Sequence, residues 1–335
     1  MRDVDRKRTL AVRREGLGRA LARIGLPAWF AVIDLLWIVK PDVLAIDARH
    51  YQRAASAWLA GGDPWSVAES GVYYAAGPHT LLFYAPTSIL PLSVAVTFWM
   101  VLGLAAAAWL VRRLGLPAWW LLFPPLAHAV WNGNPQTLML ALLLVGHPLA
   151  SAAAVGLKLY GAIPLLARPR HLLVAAVALI VTLPLVPWQQ YLADGLAVSH
   201  LEGAWNGSAW RIPILIPPTL LGLWVLRRHG AEWLAVPAVW PETQFYYVST
   251  ALPAVRGRPF LAAALALPMP LMTPVIVMLL AIVEVLGRRL CARFPRAAPA
   301  IRAFAGAAPG WQAGERGASF AMPGRPKANP DRLSG

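Results

Sequence analysis

The sequence predicts an all-α, polytopic membrane protein, and three observations carry that prediction. Only 13% of the 335 residues are charged, about half the ~25% usual for soluble domains, while 58% are hydrophobic. That leaves too few charges to coat a globule of this size. Apolar runs such as 172–188 and 259–285 are long enough to cross or deeply enter a bilayer. Many of the 16 tryptophans, among them Trp29, Trp65, Trp131, Trp188, Trp205 and Trp210, fall near segment ends, as in an interfacial aromatic belt.

The net charge of +15 does not indicate a nucleic-acid partner. Eight of the 30 basic residues lie in 1–23 and nine in 288–335; most of the others form small clusters between apolar runs, such as Arg112-Arg113 and Arg227-Arg228. Such spacing orients membrane segments by the positive-inside rule and puts the N-terminus in the cytoplasm. The one cysteine, Cys291, excludes an intrachain disulfide. The N-terminal segment has no small-residue cleavage site before Asp42 and is read as a retained helix.

In chain order, 21–39 is the first span and 40–80 an outer loop, with three basic residues against four acidic ones. Within that loop, "DARHYQRAASAWLA" repeats apolar residues at spacings of three and four. It is expected to be an amphipathic helix on the membrane surface, ended by Gly61-Gly62. The run 81–111 returns inward, interrupted by Pro86 and Pro91, and 116–131 goes out. "WNGNPQ" is a tight outer turn and 137–145 comes back. Gly156 and Pro164 make 149–167 a broken or re-entrant pair. The run 172–187 goes out, 189–211 is an outer loop, and 212–226 returns. The runs 231–255 and 259–285, prolines inside and basic residues at both ends, are expected to be hairpins. Residues 1–292 thus form the membrane domain, with roughly 9–11 crossing or re-entrant helices. Residues 293–335, rich in Ala, Pro, Gly and Arg, read as a disordered basic cytoplasmic tail.

Several polar residues stand out against this background. Asp47 opens a helix, where it can be a cap, or a general base for a hydroxyl nucleophile. Arg49, His50 and Arg53 follow it; the arginines can bind an anion or snorkel to headgroups. Lys158 lies in the otherwise apolar "ASAAAVGLKLYGAIPLLA", where a charge costs roughly 2.5–3.5 kcal/mol on insertion scales. It either meets an anion in a cavity or snorkels to an interface. Gly156 and Gly161 would let a lipid headgroup approach the backbone. Asn132, Asn134 and Gln136 are explained equally by turn chemistry or by lining a cavity. Asn206, Ser208, Gln244 and Tyr246 lie in polar-aromatic stretches that can contact sugar hydroxyls. Asp34 and Glu284 lie within apolar runs with no evident role. The sequence has no GxxxxGK[ST], GxGxxG or Gly-x-Ser-x-Gly motif and no His/Cys cluster at metal-ligand spacing, so neither cofactor nor metal is expected.

Five motifs then occur in a recognisable order: Asp47…Tyr51, Gly61-Gly62-Asp63-Pro64-Trp65, Phe83-Tyr84-Ala85-Pro86, Asn132-Gly133-Asn134-Pro135-Gln136 and Lys158…Pro164. Across residues 30–255 the chain resembles glycosyltransferase family 87, the membrane mannosyl- and arabinosyltransferases of the GT-C superfamily. It departs from the family pattern at Trp65 and at Ala85-Pro86-Thr87. The resemblance implies a GT-C-like bundle in a bacterial plasma membrane, with its active site on the outer side. It implies inverting transfer from a polyprenyl-phosphate-linked sugar to an envelope glycolipid or glycan. Asp47 would be the catalytic base. Lys158, Arg49, His50 and Arg53 would hold the donor phosphate. Asp63, Tyr84, Asn134, Gln136, Asn206, Gln244 and Tyr246 would contact sugar or acceptor. The rival readings are a transporter or lipid flippase, which would concentrate polar groups near the midplane in two related halves, and a non-catalytic envelope-assembly subunit.

Overall fold

The computed structural model describes residues 24–69, 72–195, 206–241 and 243–294. The basic N-terminal segment, part of the loop 189–211 and nearly all of the expected tail lie outside these residues.

The described chain is helical apart from a two-residue antiparallel pairing of Ala68–Glu69 with Val72–Tyr73. The α-helices of eight residues or more are numbered in order: α1 Leu26–Ile33, α2 Ile46–Leu59, α3 Leu92–Arg113, α4 Pro124–Trp131, α5 Gln136–Val145, α6 Pro148–Leu157, α7 Pro169–Val181, α8 Ile216–Val225, α9 Ala231–Val239 and α10 Met272–Arg293. Among the described residues only α3 is both long and apolar enough to cross a membrane by itself; several others are apolar but shorter.

Prolines account for much of that shortness. Pro86 and Pro91 leave a short helix and a 3-10 turn before α3, and Pro124 starts α4 after a 3-10 turn at Ala118–Leu122. The segment 149–167 breaks at Lys158, whose extended backbone separates α6 from the 3-10 stretch Leu159–Ala167. The run 231–255 folds back as expected: α9 packs against the stretch Phe245–Ala251. The run 259–285, expected as a hairpin, turns between two arms of unequal length. Its first arm is Pro259–Leu265, but its second, α10, has 22 residues and continues to Arg293. Glu284 is tolerated there because Arg288 Nε bonds it at 2.7 Å and His229 Nε2 lies 3.4 Å away.

Neighbouring helices pack as successive pairs, α3 on α5, α5 on α6 and α6 on α7, with α8 against α10. The main core runs through α1 and α3–α10. A second, smaller core surrounds α2 and contains Ala48, Tyr51, Ala54, Ala55, Trp65, Tyr74, Tyr84 and Trp99. α2 therefore buries its apolar face in protein rather than lying loosely on a surface. It ends in a Schellman motif: Gly61 adopts φ +78°, and Gly62 N–H donates to the Ala57 carbonyl.

Candidate active site

Between the two cores lies a cavity of about 460 Å³, within the usual range for small-molecule sites. Asp47, His50 and Tyr51 line it from α2, and Lys158 and Tyr160 from the α6 break. Gln244, Tyr246 and Tyr247 enter from the fold-back after α9. Seven of the chain's eight tyrosines line it, so the residue is concentrated here rather than spread through the core.

Asp47 owes its place to the "WNGNPQ" turn. The Ala45 N–H donates to the Trp131 carbonyl at 2.8 Å, and the Asp47 and Ala48 N–H groups donate to the Asn132 carbonyl at 2.9 and 3.3 Å. Backbone carbonyls thus cap α2, and the Asp47 side chain is released from that role. Its Oδ2 instead accepts from Asn134 Nδ2 at 2.8 Å. The close approach requires Gly133, which adopts φ +69° and where a Cβ would meet the Ala48 Cβ at 2.6 Å. Ala45 sits at φ +57°, a left-handed conformation that costs a non-glycine residue about 1 kcal/mol, immediately before the site.

Asp47 is deep in the protein yet keeps part of its surface open to the cavity. Burial pushes its carboxyl above the usual range. The Asn134 hydrogen bond pulls the other way, followed by the charges of Lys158 and His50.

Lys158 is 7% exposed, and its Nζ donates to the Tyr51 hydroxyl while lying 4.8 Å from that ring's centroid. Tyr51 stacks on Tyr84 at 5.0 Å, and Tyr84 on Trp99 at 4.1 Å, so an aromatic column holds the lysine's partner rigid. Thr80 Oγ1 donates to the Leu157 carbonyl at 3.2 Å and fastens the segment that follows α2 to the end of α6. Gly156 and Gly161 are not open to a headgroup: a Cβ would meet the Phe83 ring at 2.8 Å at the first and Met139 Sδ at 3.1 Å at the second.

Of the residues expected at the site, Asp47, Lys158, His50, Gln244 and Tyr246 line the cavity, and Arg49 and Arg53 do not. Arg49 Nη1 reaches back to the Leu44 carbonyl at 2.7 Å, and Arg53 is exposed on another face of α2. Asp63 caps a turn by accepting from Trp65 N–H at 3.0 Å. Trp65 in turn supports the cavity wall through Nε1 to the Ala76 carbonyl at 3.1 Å. Tyr84 belongs to the column beneath Tyr51. Asn134 and Gln136 are buried behind Asp47, where Asn134 Oδ1 accepts from Gln136 N–H at 3.0 Å and Gln136 Oε1 accepts from Tyr160. Asn206 serves a loop: its Oδ1 accepts from Ser208 N and Oγ at 3.0 and 2.8 Å and lies 3.3–3.4 Å from Thr243 Oγ1 and N.

Sequence reasoning missed Tyr74, His79, Trp188, Tyr191, Trp240 and Tyr247. The doublets Tyr73-Tyr74 and Tyr246-Tyr247, in a chain with only eight tyrosines, were the available signal. His79 is buried and stacks on Trp188 with ring centroids 5.5 Å apart. Burial lowers its pKa to about 4, with a smaller contribution from Lys158, so it is neutral at physiological pH. It also borders a second, apolar cavity of about 220 Å³, lined by residues such as Phe83, Ala152, Gly156 and Ala178. A chamber carrying ionisable and tyrosine side chains and an apolar groove therefore share one side chain. Among the described residues no group of three or more His, Cys, Asp or Glu is arranged to hold a metal ion. No protein-family model matches the chain, and neither a curated protein nor a solved structure does.

Proposed function

We propose that the chain is a polytopic membrane glycosyltransferase of GT-C type that moves a sugar from a polyprenyl phosphate to an envelope glycolipid or glycan with inversion. The observation that carries this reading is the juxtaposition of Asp47 and Lys158 on one tyrosine-lined cavity that adjoins an apolar groove at His79.

The chemistry follows from those positions. An acceptor hydroxyl beside Asp47 gives its proton to the carboxylate as its oxygen bonds to the anomeric carbon. The bond from that carbon to the phosphate oxygen breaks, and the phosphate leaves with the electron pair. Lys158 is the only lysine or arginine among the described lining residues, and its positive charge can stabilise the negative charge that builds on the leaving phosphate. His50 and His79 add hydrogen-bonding capacity nearby. The tyrosine and tryptophan faces suit the apolar faces of a sugar, and their polar tips suit its hydroxyls. The groove is a place for the first isoprene units, which must remain out of water while the headgroup reacts.

Membrane residence is supported by the apolar side chains that face outward. Val94, Phe98, Val101 and Leu104 are exposed on α3, Leu173, Val177 and Ile180 on α7, and Leu279, Ile282, Val283 and Leu286 on α10. Apolar side chains recurring along exposed helix faces mark membrane or protein contact sites, and acyl chains suit them.

The test is to incubate purified, bilayer-reconstituted protein with radiolabelled polyprenyl-phosphate mannose or arabinose and a membrane-lipid extract. Label should pass to the extract, and the corresponding nucleotide sugars should give none. Transfer from a nucleotide sugar with no lipid carrier present would rule the reading out.

A further inference from the structure

The hydrogen bonds behind Asp47 run in one direction. Gln136 contributes a backbone N–H, which can only donate, so the Asn134 atom it meets at 3.0 Å must be the amide oxygen. The other end of that amide, Nδ2, is therefore the end that faces Asp47 Oδ2 at 2.8 Å, and it too can only donate. The usual ambiguity of an asparagine amide is absent here, because a main-chain group sets its orientation. Asn134 is 2% exposed and is held by Gly133 and Pro135 in a turn that also bonds the Asp47 backbone.

We propose that Asn134 is a positioning residue that holds Asp47 as the carboxylate and leaves Oδ1 as the atom that takes the acceptor's proton. The proposal rests on Asp47 being the base inferred above. An N–H donor stabilises the ionised acceptor and opposes the protonated one. The other groups facing Asp47 are His50 and Tyr51 from α2, Tyr84 from the short helix before α3, Lys158 and Tyr160 from the α6 break, and Tyr246 from the fold-back. Of these, the charges of Lys158 and His50 favour the anion, but neither sets which oxygen is free.

The arrangement separates two variants that would otherwise look alike. Asn134→Asp keeps an oxygen for the Gln136 N–H, and hence the turn, but places a second carboxylate where the donor stood. Two carboxylates in such contact share a proton instead of both ionising. Gln136→Ala removes a side chain that bonds Tyr160 yet keeps the N–H that orients Asn134, so it serves as the internal control.

The experiment is an infrared titration of the reconstituted protein with no donor present. The Asp47 signal is obtained by subtracting Asp47→Asn in the same background, and the acid limb of kcat/KM is followed in parallel. Asn134→Ala should raise the Asp47 midpoint by ~1 pH unit or more, Asn134→Asp should raise it further, and Gln136→Ala should leave it in place. The acid limb should move with the midpoint. A midpoint unchanged in Asn134→Ala overturns the proposal. If that variant does not fold, an unchanged midpoint in Asn134→Asp does the same. Because the titration uses no sugar donor, variants that show the expected shifts in a protein whose wild type transfers nothing would sink the glycosyltransferase reading and leave the Asn134 assignment standing.

Discussion

The loop centred on Asn206 and the cavity centred on Asp47 both gather polar side chains into an apolar protein, and they treat them in opposite ways. Around Asn206 one amide oxygen serves Ser208 and Thr243 together, and the group is closed on itself. Around Asp47 a carboxylate takes one neutral donor, and a lysine bonded to Tyr51 lines the same cavity. Polar groups that satisfy one another hold a loop. Opposite charges that share the wall of a cavity of ligand size are open to something that enters. The α10 pair Glu284–Arg288, with His229 beside it, belongs to the first kind.

The contrast is broken most severely at Asp47. Asp47→Asn preserves shape and can still accept from Asn134, but it is not a base. Transfer should fall at least ~10²–10⁴-fold, with the melting temperature nearly unchanged. Survival of transfer within a few-fold would place Asp47 with the scaffold residues. Lys158→Met comes next, with a loss of ~10²-fold or more in kcat/KM. Equilibrium unfolding should show the protein as stable as wild type or more so, because removing the lysine also removes a buried charge. Collapse of the fold instead would mean that Lys158 is a structural ion partner.

His79 tests the wall between chamber and groove. Its folded pKa of about 4 lies below the 6.5 of an unfolded imidazole. The unfolded state therefore binds the proton first. Stability contributed by His79 is present above pH 6.5 and is lost as pH falls from there toward 4, by up to about 3 kcal/mol. Thermal melts at pH 7.5 and 4.5 should differ more in wild type than in His79→Gln. An equal difference in the two would mean that His79 is not the buried neutral group described. The smallest effect belongs to the loop: Asn206→Ala should cost about 1–2 kcal/mol of stability in denaturant titrations and leave kcat/KM within two-fold.

How much of this was legible in the sequence depended on whether a residue's neighbours are local. Lys158 was visible because a lone charge in an apolar run has no local partner, and Asp47 because it opened a patterned helix. Arg49 and Arg53 are grouped with Asp47 by proximity in sequence, but neither lines the cavity. At about 100° per residue, Arg49 lies about 200° round α2 from Asp47 and Arg53 about 240°, whereas His50 and Tyr51 lie within about 60°. A helical wheel would have separated them. Asn206 looked like a sugar contact because a satisfied loop asparagine and a free one are identical as letters. The tyrosine lining was invisible because it is assembled from five separate stretches of chain. The proline-shortened helices were foreseen, but the full length of α10 was not, since pairing of Glu284 with groups on both sides of it depends on the fold.

The central claim is that one lipid-linked sugar occupies the Asp47 chamber and the groove beyond His79 together. Photo-crosslinking tests it most directly. A polyprenyl-phosphate-sugar analogue carrying a photoreactive group on its first isoprene unit is irradiated with the reconstituted protein, and the labelled peptides are identified by mass spectrometry. The account predicts label on the groove walls, within residues 79–83, 152–156 and 175–182, reduced by unlabelled lipid phosphate and by Lys158→Met. Label confined to the outward faces of α3, α7 and α10, undiminished by competitor, would contradict it.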